Sequence, residues 1–385
     1  MILYMKKFMS ALMLAMFMCG CSSREEHELD ALFRGIFPEG EPGAAVLIMK
    51  GDRVVFEHGY GLADLQTGDA VTGDTFFNIA SCSKQFTAVA VLQLAQAGLL
   101  SLDDRVSAFF PELTAPIWDD VRIWHLLSHS SGVPDKRGYL TREEKISGDE
   151  NLATEYLLNL DRLNFAPGTG YEYINPTFVL LGRLVERVSG QEFTAYVHDH
   201  IFVPAGMGES LYFDRDRQDL IPRMAHGYEY DDVSSMPEER TAGTSEGPKE
   251  WYEYDFGEET FFATRPDGGI YTSVREFVSW EKALREGRVL DREWLEQAWT
   301  PRTQVSGSVY SEYQNRPGTW YGYGWFIEPR NDELGPVIYH TGDNGGFKIL
   351  AARYPKSDAL VLVFANRADW DRYAVKAAVE RISRL

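Results

Sequence analysis

The sequence of 385 residues is poor in cysteine, in positive charge and in long apolar runs. It has three cysteines, of which Cys19 and Cys21 lie close to the N-terminus. If these two are removed or modified with the N-terminal segment, only Cys82 remains in the globular part, and a single thiol cannot form an internal disulfide. We therefore expect the globular part to be stabilised by its hydrophobic core. The apolar run from Phe8 to Met18 is too short to span a bilayer.

Basic residues are outnumbered, with 38 Lys and Arg against 58 Asp and Glu, which gives a formal net charge of −20. A surface of this sign repels nucleic acid and anionic lipid headgroups, and no Lys/Arg cluster reverses it locally. The composition therefore excludes nucleic-acid binding. We expect contact with a membrane only through a covalent anchor.

Residues 1–20 have the pattern of an export signal. Two lysines precede the apolar run Phe8–Met18, which has the length of a signal-peptide core. The run leads into Cys19-Gly20-Cys21, typical of a bacterial lipobox, so we predict lipidation of Cys21 and an acidic tether over residues 21–30. An ordinary secretory signal is the alternative. Ser22 stands where an aspartate would favour retention at the inner membrane, so we expect anchoring in the outer membrane, facing the periplasm.

The pattern of apolar residues predicts strands at both ends of the chain and helices between them. A hairpin signal separates two strands near the N-terminus, and three strands return late in the chain: Ala44–Lys50, Arg53–Tyr60, Val337–Tyr339, Phe347–Tyr354 and Ala359–Phe364. Spacing near 3.6 predicts helices over Ser81–Ala97, Ile123–Leu127, Leu152–Leu158, Phe178–Val188 and about Trp370–Ile382.

This order predicts an α+β fold, an α/β sandwich in which an antiparallel sheet flanked by helices receives an inserted all-helical domain. We expect the α/β part at about 31–105 and 262–385 and the helical insert at about 106–261. The segment from Tyr228 to Thr260 is rich in acidic and aromatic residues and shows no clear helical or strand periodicity. It is either a solvated loop or a cover over the cleft that narrows the substrate range.

Ser81-Cys82-Ser83-Lys84 is a candidate nucleophile motif at the start of a predicted helix. A serine hydroxyl needs a base to become nucleophilic, and Lys84 lies three residues on, on the same helix face. Desolvation is expected to lower the pKa of the Lys84 amine and let it act as that base. Alone, the pair more often means a capped helix with a solvated lysine.

Tyr173-Ile174-Asn175 lies in a loop that enters the next predicted helix. Residues two apart in an extended segment point the same way, so both polar side chains can enter one cleft. We expect Tyr173 to relay a proton and the Asn175 amide to orient Lys84 or the substrate. In most proteins such a tripeptide is only a turn.

His340-Thr341-Gly342 follows the strand predicted over Val337–Tyr339. Glycine at a strand edge lets a substrate backbone lie alongside as an added strand. We predict substrate binding by these residues and by Asp343, whose N–H would form an oxyanion hole with that of Ser81. By itself, the tripeptide is more often a strand that ends in a glycine turn.

Together, the order of the three motifs resembles the serine β-lactamase and penicillin-binding-protein superfamily, over nearly the whole chain beyond the signal. The class C β-lactamases, D,D-peptidases, D-aminopeptidases and esterases of this fold look most similar. The resemblance includes Ile123 to Gly132, Leu181 to Gly190, Pro204 to Met207 and Asp267 to Ile270, which are packing and turn elements in the family. It implies an acyl-enzyme on Ser81 and no metal or organic cofactor.

The expected activity is therefore that of a serine hydrolase that cleaves an ester, D-amino-acid peptide or β-lactam. The substrate would be a small molecule or a cell-wall peptide, and we expect the protein to be a monomer. Family members that process penicillins generally have lysine at the position of His340. Because histidine is only partly charged near neutrality, we expect activity on carboxylate-bearing substrates to fall as the pH rises past the His340 pKa.

Three other interpretations stay open at this point. His125 and His129, four apart on a predicted helix, have a spacing that can bind zinc, although the sequence lacks the glutamate of the metalloprotease motif. Cys82 could be a reactive thiol, although a packed cysteine is more common. The whole chain could also be a binding module of the same fold that recognises muropeptides without turnover.

Overall fold

The structure is a computed structural model, and it describes residues 24–135, 141, 144, 148–214, 219, 221–230, 251–254, 264–306 and 316–385. The predicted signal peptide, Cys21 and most of the segment 228–260 lie outside the described residues. None of the helices in the described ranges is both long and apolar enough to cross a membrane.

Helices and strands alternate in blocks along the chain. The helices are α1 Arg24–Ile36, α2 Lys84–Gln96, α3 Val106–Phe109, α4 Ile123–Leu127, α5 Glu150–Leu158, α6 Asn175–Ser189, α7 Phe193–Val197, α8 Val203–Ala205, α9 Arg265–Gly268, α10 Val274–Arg285, α11 Arg292–Ala298 and α12 Arg372–Ser383. Short 3-10 turns cover Ala80–Ser83 and Pro116–Trp118, and a π turn covers His198–Phe202.

The strands are β1 Ala44–Lys50, β2 Arg53–Tyr60, β3 Phe77–Asn78, β4 Leu211–Tyr212, β5 Tyr228–Tyr230, β6 Trp251–Glu253, β7 Ile270–Thr272, β8 Thr303–Gln304, β9 Trp320–Tyr321, β10 Phe326–Glu328, β11 Val337–Asn344, β12 Phe347–Tyr354 and β13 Ala359–Ala365. Eight of them form one sheet in the order β2-β1-β13-β12-β11-β10-β9-β8, with every neighbouring pair antiparallel. The predicted α+β fold with a large antiparallel sheet is therefore confirmed.

The two ends of the chain meet in this sheet, because β1 pairs with β13 in a register that places Ala44 opposite Ala365. Side chains of β1 alternate between two hydrophobic cores. Ala45, Leu47 and Met49 belong to the core on one face, which also includes the apolar residues of α2. Ala44, Val46 and Ile48 belong to the core on the other face, which is covered by α1 and α12. Both faces are buried, as the continuous apolar run of β1 requires.

The segment predicted as a tether is a helix instead. From Arg24 onward the chain forms α1, and Leu29, Phe33 and Phe37 are buried at 1%, 0% and 1% exposure. These residues are four apart, so they form one apolar stripe that packs on the sheet. The prediction over residues 24–30 was wrong because the many acidic residues occupy the solvent face and mask this stripe.

The middle of the chain is mainly helical, with short strands that link it to the rest. β4 pairs with β7, and β7 pairs with β3, which leads directly into the 3-10 turn Ala80–Ser83. The helix predicted from Ser81 therefore begins as this turn and becomes α-helical at Lys84. A small sheet thus fixes the entry of the segment that includes Ser81.

The docking of α1 can be tested by Phe33→Ala. The Phe33 ring contacts Phe37, Phe56 and Tyr60, with centroids 6.5, 6.1 and 5.8 Å away. Removing it should leave a cavity and lower the free energy of unfolding by about 3–5 kcal/mol, measured by urea denaturation. His27→Ala, on the exposed face of the same helix, should change it by less than about 0.5 kcal/mol. Equal effects of the two variants would mean that α1 does not pack on the sheet.

Candidate active site

Ser81 is held at the mouth of the site by a constrained turn. The residue before it, Ala80, has φ 46°, a left-handed conformation that is uncommon for a residue with a Cβ. The side-chain oxygen of Asn78 accepts a hydrogen bond from the Ala80 N–H at 2.7 Å, and the Ile79 carbonyl accepts one from the Cys82 N–H at 3.0 Å. These bonds stabilise the unusual turn and fix the direction of the Ser81 side chain, which is partly exposed.

Lys84 lies directly behind Ser81. Its side chain is 0% exposed, and its Nζ donates to Ser81 Oγ at 3.1 Å and to the Asp267 carbonyl oxygen at 2.7 Å. The predicted approach of Lys84 to Ser81 is therefore present. The contribution of Asp267 was missed, because its backbone carbonyl has no signature in the sequence beyond the Asp-Gly-Gly turn.

The Tyr173 ring lies over the amine of Lys84. Lys84 Nζ is 5.0 Å from the centroid of Tyr173 and 5.5 Å from that of Phe178. Asn175 begins α6 and is 8% exposed, and its Oδ1 has no hydrogen-bond partner within the described part of the chain. The structure thus brings Ser81, Lys84 and the Tyr173 ring together, with Asn175 two residues further on at the start of α6.

His129 holds this loop in place, a role that sequence analysis missed. Its backbone carbonyl accepts from the Glu172 N–H at 3.0 Å, and its Nδ1 accepts from the Ile174 N–H at 3.1 Å. The imidazole lies against the Tyr173 ring, with centroids 4.2 Å apart. Burial, and then the nearby charge of Lys84, lower the pKa of His129 well below its usual range. A neutral ring with Nδ1 as acceptor therefore positions Tyr173.

His340 behaves differently from the prediction. Its ring is 0% exposed, with Nδ1 2.7 Å from the Thr341 carbonyl oxygen and Nε2 2.9 Å from the Tyr321 hydroxyl. Because a carbonyl can only accept, Nδ1 bears the proton and Nε2 accepts from Tyr321. Burial, and then the charge of Lys84, lower the pKa of His340 well below its usual range. The predicted titration near neutrality is therefore wrong, since the ring is neutral there.

The strand that contains His340-Thr341-Gly342 does not end at the glycine. β11 continues to Asn344 and pairs with β12 over its whole second half, whereas its pairing with β10 stops at Tyr339. Among the described strands, none pairs with the other edge of residues 340–344. Asp343 and Thr341 lie on this open segment, where an added strand could pair with the backbone.

Gly342 brings β11 into direct contact with the turn of the nucleophile. A Cβ at this position would lie 2.4 Å from the Ile79 carbonyl oxygen and 3.0 Å from the Ala80 Cβ. Any larger residue would therefore push the strand and the turn apart. The requirement for glycine comes from this close approach, and its consequence is that Asp343 lies beside the turn of Ser81.

The alternative interpretations of Cys82 and the two histidines receive no support from the geometry. Cys82 is 0% exposed, and burial raises the pKa of its thiol far above the usual value. His125 uses Nδ1 to accept from the Arg122 N–H at 3.0 Å, and burial lowers its pKa to about 4. Within the described ranges no group of His, Cys, Asp and Glu residues has an arrangement that could hold a metal ion.

Comparison with known proteins agrees with this arrangement. The Beta-lactamase family model matches residues 29–384. The chain belongs to the beta-lactamase family. The predicted relationship to the serine β-lactamases and penicillin-binding proteins is confirmed, and the family points to a superfamily of serine hydrolases.

The individual relatives have low sequence identity to this chain, but the matches cover most of its length. Penicillin-binding protein 4* of Bacillus subtilis (strain 168) is 26% identical over 369 residues, which are 92% of this chain and 75% of that protein. Protein flp of Staphylococcus aureus (strain MW2) is 26% identical over 360 residues, 89% of this chain, and the chain spans only 63% of its length. A penicillin binding protein from Bacillus halodurans has a solved structure with a TM-score of 0.72 at 28% identity, covering 94% of this chain and 99% of that one.

The contact between Gly342 and the turn can be tested by Gly342→Ala in this beta-lactamase family member. The added methyl group cannot fit without a shift, so we expect the free energy of unfolding to fall by about 1–3 kcal/mol and labelling of Ser81 by a fluorophosphonate to slow at least about tenfold. Gly208→Ala is the control, because a Cβ there meets no atom within 4 Å. Labelling of both variants at the wild-type rate would show that the close approach is unnecessary.

The buried neutral histidines predict a loss of stability in acid. Unfolded histidines take up protons below about pH 6.5, whereas folded His125, His129 and His340 do not, so the free energy of unfolding should fall between about pH 6.5 and pH 5. His129→Asn keeps an acceptor for the Ile174 N–H and tolerates φ 54°. This substitution should reduce the slope of the free energy of unfolding against pH by up to about 1.4 kcal/mol per pH unit, measured by urea denaturation at several pH values.

The control for the acid titration is His27→Asn, which replaces an exposed histidine on α1. This variant makes the same substitution without removing a buried ring, so it separates the effect of the buried site from that of losing any histidine. An unchanged slope in His129→Asn would mean that the folded protein protonates His129 as easily as the unfolded chain does.

Proposed function

We propose that this protein is a serine hydrolase that cleaves an ester or amide of a small substrate through an acyl-enzyme on Ser81. Lys84 takes the proton of Ser81, and Tyr173 passes it to the leaving group. Water then attacks the acyl-enzyme and releases the acid. Asn175, whose Oδ1 has no hydrogen-bond partner within the described residues, orients the substrate.

The observation that carries the proposal is the 3.1 Å hydrogen bond between Lys84 Nζ and Ser81 Oγ, made by an amine that is fully buried. A general base must lie within hydrogen-bond distance of the oxygen whose proton it removes, and Nζ lies there before any substrate arrives. In its neutral form the amine would accept the Ser81 proton across this contact. The Asp267 carbonyl fixes its position at 2.7 Å. The pair is therefore arranged for attack.

The N–H groups of Ser81 and Asp343 are proposed as the oxyanion hole. Gly342 packs against Ile79 and Ala80, so Asp343 lies next to the turn of the nucleophile. Donors fixed before the reaction stabilise the developing negative charge more than water does. Within the described residues, no strand pairs with the outer edge of β11 from His340 to Asn344, which supports binding of an extended substrate beside them.

Among the substrate classes, esters and D-amino-acid amides or peptides are proposed ahead of β-lactams. The reason is His340, which stands where penicillin-processing relatives generally have a charged lysine. Its ring is buried and neutral, so it supplies no charge for the carboxylate of a penicillin. A cell-wall peptide or a small ester remains the proposed partner. Export and lipid anchoring at Cys21 are proposed from the N-terminal pattern, with the outer membrane as the destination.

The proposed nucleophile can be tested by mass spectrometry after treatment with a fluorophosphonate and, separately, with a penicillin. We expect one covalent adduct on Ser81 and none in Ser81→Ala, because Ser81 is partly exposed and its Oγ lies within hydrogen-bond distance of Lys84 Nζ. Cys82→Ala is the matched control, since its buried thiol is adjacent but should not react. A protein that binds muropeptides without forming an adduct with either reagent would be a binding module instead.

A further inference from the structure

Arg372 connects the last helix to the strand that borders the site. It is the first residue of α12, and its side chain is only 1% exposed. One terminal nitrogen donates to the Gly342 carbonyl oxygen at 3.3 Å, and the other donates to the Asp343 carboxylate. No motif in the sequence indicates a role for this residue.

The carbonyl that Arg372 contacts and the N–H of Asp343 belong to the same peptide unit. This unit is planar and trans, so its C=O and N–H point in opposite directions and cannot turn independently. A guanidinium that fixes the Gly342 carbonyl therefore also fixes the direction of the Asp343 N–H. That N–H is one of the two donors proposed for the oxyanion hole.

The charge of Arg372 acts through the same peptide unit. A cationic donor on a carbonyl oxygen polarises the amide, and the effect of one hydrogen bond on the next is larger in a buried setting than in water. The planar fork of arginine reaches the carbonyl and the carboxylate together, which a lysine ammonium cannot do with the same geometry. The bond to Asp343 keeps the guanidinium beneath the strand.

We propose that Arg372 is a positioning residue for the oxyanion hole: it holds the Gly342–Asp343 peptide so that the Asp343 N–H points at the reacting carbonyl. The inference rests on the proposed acyl-transfer function and adds to it a residue that never touches the substrate. Besides its pairing with β12, this peptide has two further contacts, with Arg372 on its carbonyl oxygen and with Ile79 and Ala80 packed against Gly342.

The test compares an aryl ester with its thionoester, in which sulfur replaces the carbonyl oxygen. Sulfur accepts hydrogen bonds weakly, so an aligned oxyanion hole favours the oxygen ester. In Arg372→Gln we expect kcat for the ester to fall about tenfold or more while KM changes less than about twofold. The ratio of ester to thionoester turnover should fall with it. Arg372→Lys keeps the charge without the planar fork, so its kcat and its ratio should lie between those of the wild type and those of Arg372→Gln.

Lys376→Gln is the matched control. Lys376 lies one turn further along α12, is 5% exposed and pairs with the carboxylates of Glu328 and Glu380 at 3.1 and 2.8 Å. Its loss removes a buried basic group from the same helix without touching the Gly342–Asp343 peptide. We expect a lower Tm, as in Arg372→Gln, with the wild-type ratio of ester to thionoester turnover.

The outcomes separate this inference from the proposed function. If Arg372→Gln loses stability but keeps the wild-type ratio, Arg372 has only a structural role and the inference is overturned. If the wild-type protein forms no adduct on Ser81 and hydrolyses neither substrate, the proposed function fails and the inference fails with it. A fall in the ratio for Arg372→Gln alone, with Ser81 still labelled, supports both.

Discussion

The burial of one amine, that of Lys84, constrains the geometry of the whole site. A side chain with 0% exposure must find its hydrogen-bond acceptors inside the protein, and Lys84 finds them in Ser81 and in the Asp267 carbonyl. The Tyr173 ring lies over the same amine from a third part of the chain. If the Ser81 turn or the Asp267 carbonyl moved away, the buried amine would lose a hydrogen-bond partner, which destabilises a buried polar group. Stability and site geometry therefore depend on the same contacts.

The large sheet provides the frame on which these contacts form. Its central strands come from opposite ends of the chain, and the turn Ala80–Ser83 packs where β11 meets it through Gly342. A Cβ at Gly268 in α9 would also lie within 3.8 Å of Ala80. The turn is thus enclosed on two sides by backbone, which leaves little freedom at Ser81. Such rigidity is expected where donors must already be aligned when charge develops.

Much of this could be predicted from local patterns. The hairpin β1–β2 and the strands β12 and β13 follow from apolar runs and turn residues, and three weak motifs became specific in combination. The sequence-based predictions failed where tertiary contacts determine the role of a residue. Nothing in the pattern around His340 shows that its ring is buried against Tyr321. The roles of His129, Asp267 and Arg372 depend on backbone groups and partners far away in sequence, which no local spacing encodes.

The helix α1 has a consequence for how the protein would sit at a membrane. Its residue Leu29 is buried in the core beneath α1 and α12, and it follows Cys21 by eight residues. Eight residues span at most about 29 Å even when fully extended. A lipid on Cys21, as proposed, would therefore keep this side of the folded body close to the bilayer surface.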